Sequence, residues 1–551
     1  MGFSNTTEAP MGTSRQLLLG LLCALLLIWA AKRTNLYLSR RRFKQAHNCR
    51  PVQRRFPNRD PILGLDAVYS QIQRAKAGTM LEWLHWRNST YGPTFAARMG
   101  LRFPGWLGGG ADAFVTTDPE NIKTVLATRF KDYGHGDTRT GSFGPLLGRG
   151  IFVVDGARWH ESRALLRPNF AREQIADLEA LERHLSLFFQ LLPRSGDVTV
   201  DLQTLFFRLT IDTASEFLFG TSVHSLRALQ ESGGLVVGAN GEAAASASDS
   251  AFAEAMNDAQ ADILMRARLS WMYHLRPHPR GDAAIKFAHA YVDRFVEEAV
   301  RRREAMDLEK GGGSSSSTST TTGTDGEKYV FLHELAKATK DRKVIRDELL
   351  NILLAGRDTT ASFLSNLFFV LARRPDVWAK LKADVAGLEG RPPTYETLKN
   401  LKYVKYCLNE SLRTHPVVPL NNKQALQDTV LPRGGGSDGQ SPLFVPKGTI
   451  VAWTIYTLHR RREFYGDDAE EFRPERWEHL RPSWEYLPFN GGPRICVGQQ
   501  YALTEAAYVT TRLVQEFERI ENRDPGPWVE SVGLTICSRN GVKVGLYRAS
   551  S

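Results

Sequence analysis

An almost unbroken apolar run extends from Leu17 to Ala31, then gives way to Lys32-Arg33 and Arg40-Arg41-Arg42. A bilayer core needs about 20 apolar residues. Leu36, Tyr37 and Leu38 extend the run, with Lys32 and Arg33 snorkelling to the interface. A cleaved leader carries its charge before the apolar stretch, whereas most of the charge here follows it, so the pattern predicts an N-terminal transmembrane helix. Basic flanks stay on the cytosolic side, which puts the N-terminus across the membrane and the rest of the chain in the cytosol. Arg50 to Pro61 is basic and proline-rich, and is expected to be a stiff tether. Further on, Phe95 to Arg98 and Ala113 to Thr116 read as short strands, and Asp118-Pro119-Glu120 opens a helix with Asp118 as its cap. The longest helical periodicity runs from Ile345 to Leu371, through Leu349, Ile352, Leu353, Leu364, Leu367 and Phe368. Another starts near Thr394 and is stopped by Pro416, and a third spans Gln499 to Phe517.

Two stretches carry no such pattern. Glu231 to Ser250 is rich in Gly, Ala and Ser, and Gly311 to Gly326 is a low-complexity run of Gly, Ser and Thr. Both are expected to be flexible, and the second cannot bury a core. Chemistry-bearing segments lie on both sides of the second run, so it is expected to be a surface-loop insertion and not a boundary. The organisation is therefore a tail, anchor and basic flank over residues 1–50, then a single domain over 51–551, mainly α with a small β-rich part.

Charge narrows the partners. The net charge is +11, which suits nucleic acid, an anionic membrane face or an acidic protein. No zinc-finger spacing or RNA-binding signature is present, so no nucleic acid is expected. The five cysteines are scattered and odd in number, which fits a reducing compartment and no disulfide framework.

The chemistry centres on Phe489-Asn490-Gly491-Gly492-Pro493-Arg494-Ile495-Cys496-Val497-Gly498. Cys496 stands just before a helix, whose dipole is expected to lower its pKa and favour metal ligation. Gly492 and Gly498 let the backbone approach something flat, Arg494 can pair with an anion on it, and Phe489 can shield the sulfur. The alternative for Cys496 is a buried structural cysteine in a turn. Within the central periodicity, Ala355-Gly356-Arg357-Asp358-Thr359-Thr360 weakens the helix. A threonine hydroxyl bonded to a carbonyl of the previous turn can open a groove there. Trp159 and Arg163, four apart, share a helix face, and Glu410 and Arg413 can pair.

The Cys496 segment resembles the haem-binding loop of the cytochrome P-450 family, Phe-x-x-Gly-x-Arg-x-Cys-x-Gly, at every fixed position. That resemblance implies the cytochrome P-450 fold, with haem b between the long central helix and the cysteine loop and Cys496 as axial iron ligand. It implies that Arg494, Phe489, Gly492 and Gly498 contact the haem, that Trp159 and Arg163 hold a propionate, and that Ala355 and Gly356 pass over the ring. Lys423 follows a pocket-lining segment and stands where relatives carry a propionate-contacting arginine; it supplies the charge without the fork. By the same likeness Thr359 is the hydroxyl at the oxygen site, and Asp358 relays protons from solvent. Glu410, Arg413 and Arg476 form a structural triad behind the haem. Ala355 replaces the glutamate through which related animal enzymes esterify a haem methyl group, so the haem is held non-covalently apart from the Cys496–iron bond.

Three segments most resemble the fungal alkane and fatty-acid hydroxylases of that family: Leu353 to Thr360, Asp428 to Gly436, and His459-Arg460-Arg461 with Phe472 to Trp477. The resemblance implies terminal hydroxylation of an apolar aliphatic substrate at the endoplasmic reticulum membrane. Electrons would come from NADPH through a membrane-bound flavin reductase with an acidic docking face. Two other readings stay open: hydroxylation of another lipid or a xenobiotic, and, from a different class, a haem-binding sensor or carrier without turnover.

Overall fold

The computed structural model describes residues 11–60, 65–97, 113–171, 176–193, 195–231, 247–269, 273–274, 277–311 and 329–548. The expectations placed on Arg98, on 232–246 and on 312–326 lie outside the described residues. The fold is mainly helical with small sheets, as expected.

Met11–Ala46 is one uninterrupted helix, longer than the apolar run that predicted it. Its large apolar side chains from Leu17 to Trp29 are exposed, and the helix is long and apolar enough to cross a membrane. The basic last turns stay helical because they dock on the body. Arg40 forks onto Asp428 at 2.9 and 3.0 Å, and Phe43 and Lys44 lie against the Phe444 ring at 5.6 and 5.0 Å. The segment after it, expected to be a stiff tether, lies against the body. The Arg50 N–H donates to the Pro442 carbonyl at 2.8 Å, Gly436 donates to Pro51 at 3.1 Å, and Phe56 and Ala96 join the same strip. Prolines cannot donate, so this strip is a series of isolated bridges laid along the sheets.

The largest sheet runs Thr94–Ala97, Ala113–Thr116, Ile450–Thr454, Leu420–Ala425, Tyr133–Gly134. Its pairs are antiparallel except Ala113–Thr116 with Ile450–Thr454. The register sets Lys423 opposite Val451 and Gln424 opposite Gly134, which brings two distant parts of the chain together beneath the helices. As predicted, Asp118 caps a helix, Pro119–Lys123, by accepting from the Glu120 and Asn121 amides.

The helix Arg342–Leu371 crosses the interior, capped by Asp341. It packs on Leu202–Phe219, and the core around it contains Phe206, Phe368, Trp378, Leu381 and Val514. A helix buried nearly all round draws its stability from packing rather than from propensity. The C-terminal helix Gln499–Glu516 is tied beneath it through buried Glu505, which accepts from Thr213 at 2.8 Å and bonds the Thr360 hydroxyl. The periodicity from Thr394 splits into Tyr395–Asn400, opened by a Thr394–Thr397 capping box, and Lys402–Thr414.

Candidate active site

The cysteine loop is closed by its own backbone. The Cys496 N–H donates to the Phe489 carbonyl at 3.0 Å. Asn490 adopts φ 63° and reaches the Arg494 carbonyl with its amide. Gly492 adopts φ 66°, and a Cβ there would lie 2.0 Å from the Leu126 carbonyl oxygen, so only glycine fits. Gly498 is under no such constraint, since a Cβ would meet nothing nearer than a Phe170 ring carbon at 3.7 Å. Its amide instead hydrogen-bonds the Cys496 sulfur. Phe489 is half-buried and packs against the main core. The Cys496 side chain is open to water-sized contact yet hemmed in by protein. Burial pushes its thiol up from the ordinary value, against the Gly498 amide and the Arg163 charge, which lower it. The lowering expected from the helix end is therefore not found for the polypeptide alone, where desolvation outweighs the Gly498 amide and the Arg163 charge.

The central helix is open at one strip. From Asp347 to Phe369 every residue is buried except Ala355, Gly356 and Thr359. The Thr359 hydroxyl donates to the Ala355 carbonyl at 2.6 Å, the bond to the preceding turn that loosens a helix. Gly356 is not needed for packing, because a Cβ there would find only Ala214, at 3.7 Å. Its absence keeps the strip shallow. Asp358 faces away from the strip, buried, with the Arg357 guanidinium 3.5 Å from its carboxylate.

Beside the loop lies a cluster of basic groups larger than the sequence indicated. Arg494 donates to the Val154 carbonyl at 2.9 Å and to Asp155 at 2.6 Å, and lies 4.5 Å over the ring of buried Trp159. Arg163 donates to the Ile495 carbonyl at 3.0 Å. Lys423 is only 3% exposed, and its Nζ is 3.1 Å from the His135 ring. Arg139 donates to the Phe152 carbonyl at 3.2 Å. Burial, followed by the neighbouring positive charges, lowers Lys423 and His135 well below their ordinary values. Burial takes Arg139 and Arg494 down to about 10. Asp155 is the carboxylate that opposes these bases. Bases in excess of acid at one place fit a molecule that brings its own carboxylates, as haem does with two. His135, Arg139 and Asp155 were missed from the sequence. The strand pairing of Tyr133–Gly134 with Gln424-Ala425 is what sets the first of them beside Lys423.

Glu410, Arg413 and Arg476 meet in the interior. Glu410 accepts from Arg413 at 2.8 and 2.9 Å, from Arg476 at 2.9 Å, from the Trp477 indole at 2.9 Å and from the Arg473 amide at 2.8 Å. Arg413 also donates to the carbonyls of His459, Ala469 and Glu471. The triad thus fixes the segment that leads into the cysteine loop.

A thiol presented by a glycine-turned loop, a set of bases beside it and a helix opened at one strip define a haem-thiolate protein. The family model described as Cytochrome P450 matches residues 61–539, and the chain belongs to that family. Haem b with a thiolate-ligated iron is its cofactor. Among relatives, Cytochrome P450 monooxygenase himC of Aspergillus japonicus is 48% identical over 91% of this chain and 84% of its own length. Cytochrome P450 monooxygenase fsdH of Fusarium heterosporum is 44% identical over 94% of this chain and 86% of its own. Cytochrome P450 52A13 of Debaryomyces hansenii is 42% identical over 92% and 93%. The chain is therefore a cytochrome P450 monooxygenase.

Proposed function

We propose that the protein hydroxylates n-alkanes or fatty acids at or near the terminal carbon, anchored in the endoplasmic reticulum membrane by Met11–Ala46 with its body in the cytosol. NADPH supplies the electrons through a reductase. The observation that carries this reading is the resemblance of Leu353 to Thr360, Asp428 to Gly436, and His459-Arg460-Arg461 with Phe472 to Trp477 to the fungal alkane and fatty-acid hydroxylases. It is supported by similarity to Cytochrome P450 52A13 over nearly the whole chain. The strip at Ala355 and Gly356 also suits an alkyl chain, since it presents the smallest side chains available. Product analysis on a panel of n-alkanes and fatty acids, with reductase and NADPH, tests it. Terminal alcohols are expected. Turnover of another lipid with none of these products would support the second reading, which the 48% identity to himC keeps in view. Haem binding without turnover of any of these compounds would mark a sensor or carrier.

In this reading Cys496 would hold the iron, and Arg494, Arg163, Trp159 and Lys423 would hold the haem carboxylates. When bound, the haem supplies the oxidant that places one atom of O2 in a C–H bond. The polypeptide contributes position and protons. Because the Thr359 hydroxyl donates its own hydrogen to Ala355, it presents only lone pairs to the strip and acts there as an acceptor. It can therefore hold a protonated group in place, with Asp358 behind it as the relay from solvent. Thr359→Ala is expected to bind haem and substrate normally while diverting most reducing equivalents to hydrogen peroxide. Product formed per NADPH, measured alongside peroxide, checks this; an unchanged ratio removes Thr359 from the proton path.

A further inference from the structure

The segment from Gly148 to Asp155 runs between the central helix and the basic cluster, and both of its sides are used. Toward the helix it offers amides. The Arg149 N–H donates to Asp347 Oδ2 at 2.9 Å, Ile151 to Glu348 Oε2 at 3.2 Å, and Phe152 to Asn351 Oδ1 at 3.1 Å. The Asn351 amide donates in return to the Leu147 carbonyl at 2.9 Å. Toward the cluster the segment offers acceptors. The Phe152 carbonyl takes Arg139, the Val154 carbonyl and Asp155 take Arg494, and Asp155 Oδ2 accepts the His135 amide at 2.6 Å.

Two glycines make this fit. Gly148 adopts φ 55°, and a Cβ there would lie 2.0 Å from Asp347 Oδ2; a Cβ at Gly150 would lie 2.0 Å from Asn351 Nδ2. Neither side chain could reach the strap past an alanine. Asp347 and Glu348 are each 2% exposed and Asn351 is fully buried. Glu348 also bonds the Ser162 hydroxyl, on the helix that carries Trp159 and Arg163. Buried carboxylates that neither touch the open strip nor serve the cysteine loop have no role in the chemistry described so far.

We propose that Asp347, Glu348 and Asn351 are positioning residues for the haem site, holding this strap so that it keeps Arg139, Arg494 and Asp155 in place and thereby tying the central helix to the charge balance beside the haem carboxylates. The inference rests on the haem site and is independent of the aliphatic substrate. Releasing the strap lets Asp155 leave the cluster. The cations it opposed are then less compensated, which favours the reduced, more negative haem.

Glu348→Leu removes the acceptor at nearly constant volume. In the ferric holoenzyme it is expected to raise the midpoint potential and to speed haem transfer to apomyoglobin about tenfold, the usual scale for orphaning a buried donor. Glu348→Gln keeps an oxygen for the Ile151 amide, and burial already pushes the Glu348 carboxyl up to about 7, so the potential should stay at the wild-type value and the transfer rate within about twofold of it. Asp341→Ala removes the cap of the same helix without touching a strap contact. It should lower the melting temperature and leave the potential unchanged. Gly150→Ala attacks the strap from the other side, should reproduce the Glu348→Leu signature, and decides the matter alone if that variant does not fold. The inference is overturned if the strap variants that fold keep the wild-type potential, or if Glu348→Gln shifts it as far as Glu348→Leu does.

Discussion

Cys496→Ser is expected to give a folded chain that no longer shows the thiolate-type carbon monoxide spectrum and has essentially no monooxygenase activity. The other cysteines cannot substitute. Cys23 lies on the N-terminal helix, Cys407 is in the core, and Cys49 and Cys537 are half-buried elsewhere. An alcohol at Cys496 would remain protonated where even the thiol is pushed up by burial, so the iron would lose its anionic ligand. The polypeptide itself should tolerate the change. The side chain is open, and substitutions of that kind usually move stability by about 0.5 kcal/mol or less. What is lost is the stabilisation that bound haem adds by mass action, so the variant should melt lower than holoenzyme but close to haem-free wild type. The reduced spectrum with carbon monoxide, read beside far-ultraviolet dichroism, separates the two. A retained thiolate-type spectrum would move the ligand to another residue, whereas a collapsed dichroism signal would give Cys496 a structural role.

What was readable in the sequence was local. The cysteine loop is a contiguous string whose glycine at 492 answers to one positive φ and one close carbonyl. The central helix announced itself by period, and its weak point by a glycine and two threonines. The N-terminal apolar helix was readable from its run of apolar residues, but its length was not, because its last turns are held by Asp428 and Phe444 from far along the chain. The same reason hid His135, Arg139 and Asp155. Each is a single residue without a repeat or a motif, and only the strand pairing and the strap bring them to Lys423 and Arg494. The direction of the Cys496 shift was also out of reach. A helix dipole can be read from a boundary, whereas desolvation depends on everything packed around the sulfur.

Glu410→Ala is expected to be the most damaging substitution for the fold. The Arg413 and Glu410 side chains are both 0% exposed, and Arg476 is 4% exposed. Glu410 alone answers two guanidinium groups, one indole and one backbone amide. Removing it leaves Arg413 buried without a counter-charge, and Arg476 with only Asp468 at 3.3 Å. Deleting one partner of a buried pair typically costs about 3–5 kcal/mol, against a whole-domain stability of about 5–15 kcal/mol. Arg413→Lys should be nearly as harmful. Lysine cannot hold the carboxylate by a fork and also reach the carbonyls of His459, Ala469 and Glu471. Glu410→Gln should fall between them, since one amide oxygen still accepts while the NH2 group is turned against guanidinium donors. Because those bonds fix the segment before the cysteine loop, haem content should fall along with the melting temperature. A drop of at least about 5 °C is expected at a common scan rate. Glu410→Ala with full haem content and a wild-type melting temperature would show that the triad only fills space. The more informative control is Glu410→Leu. If a hydrophobic side chain of similar volume destabilises as much as alanine, the loss comes from the orphaned arginines and not from a cavity.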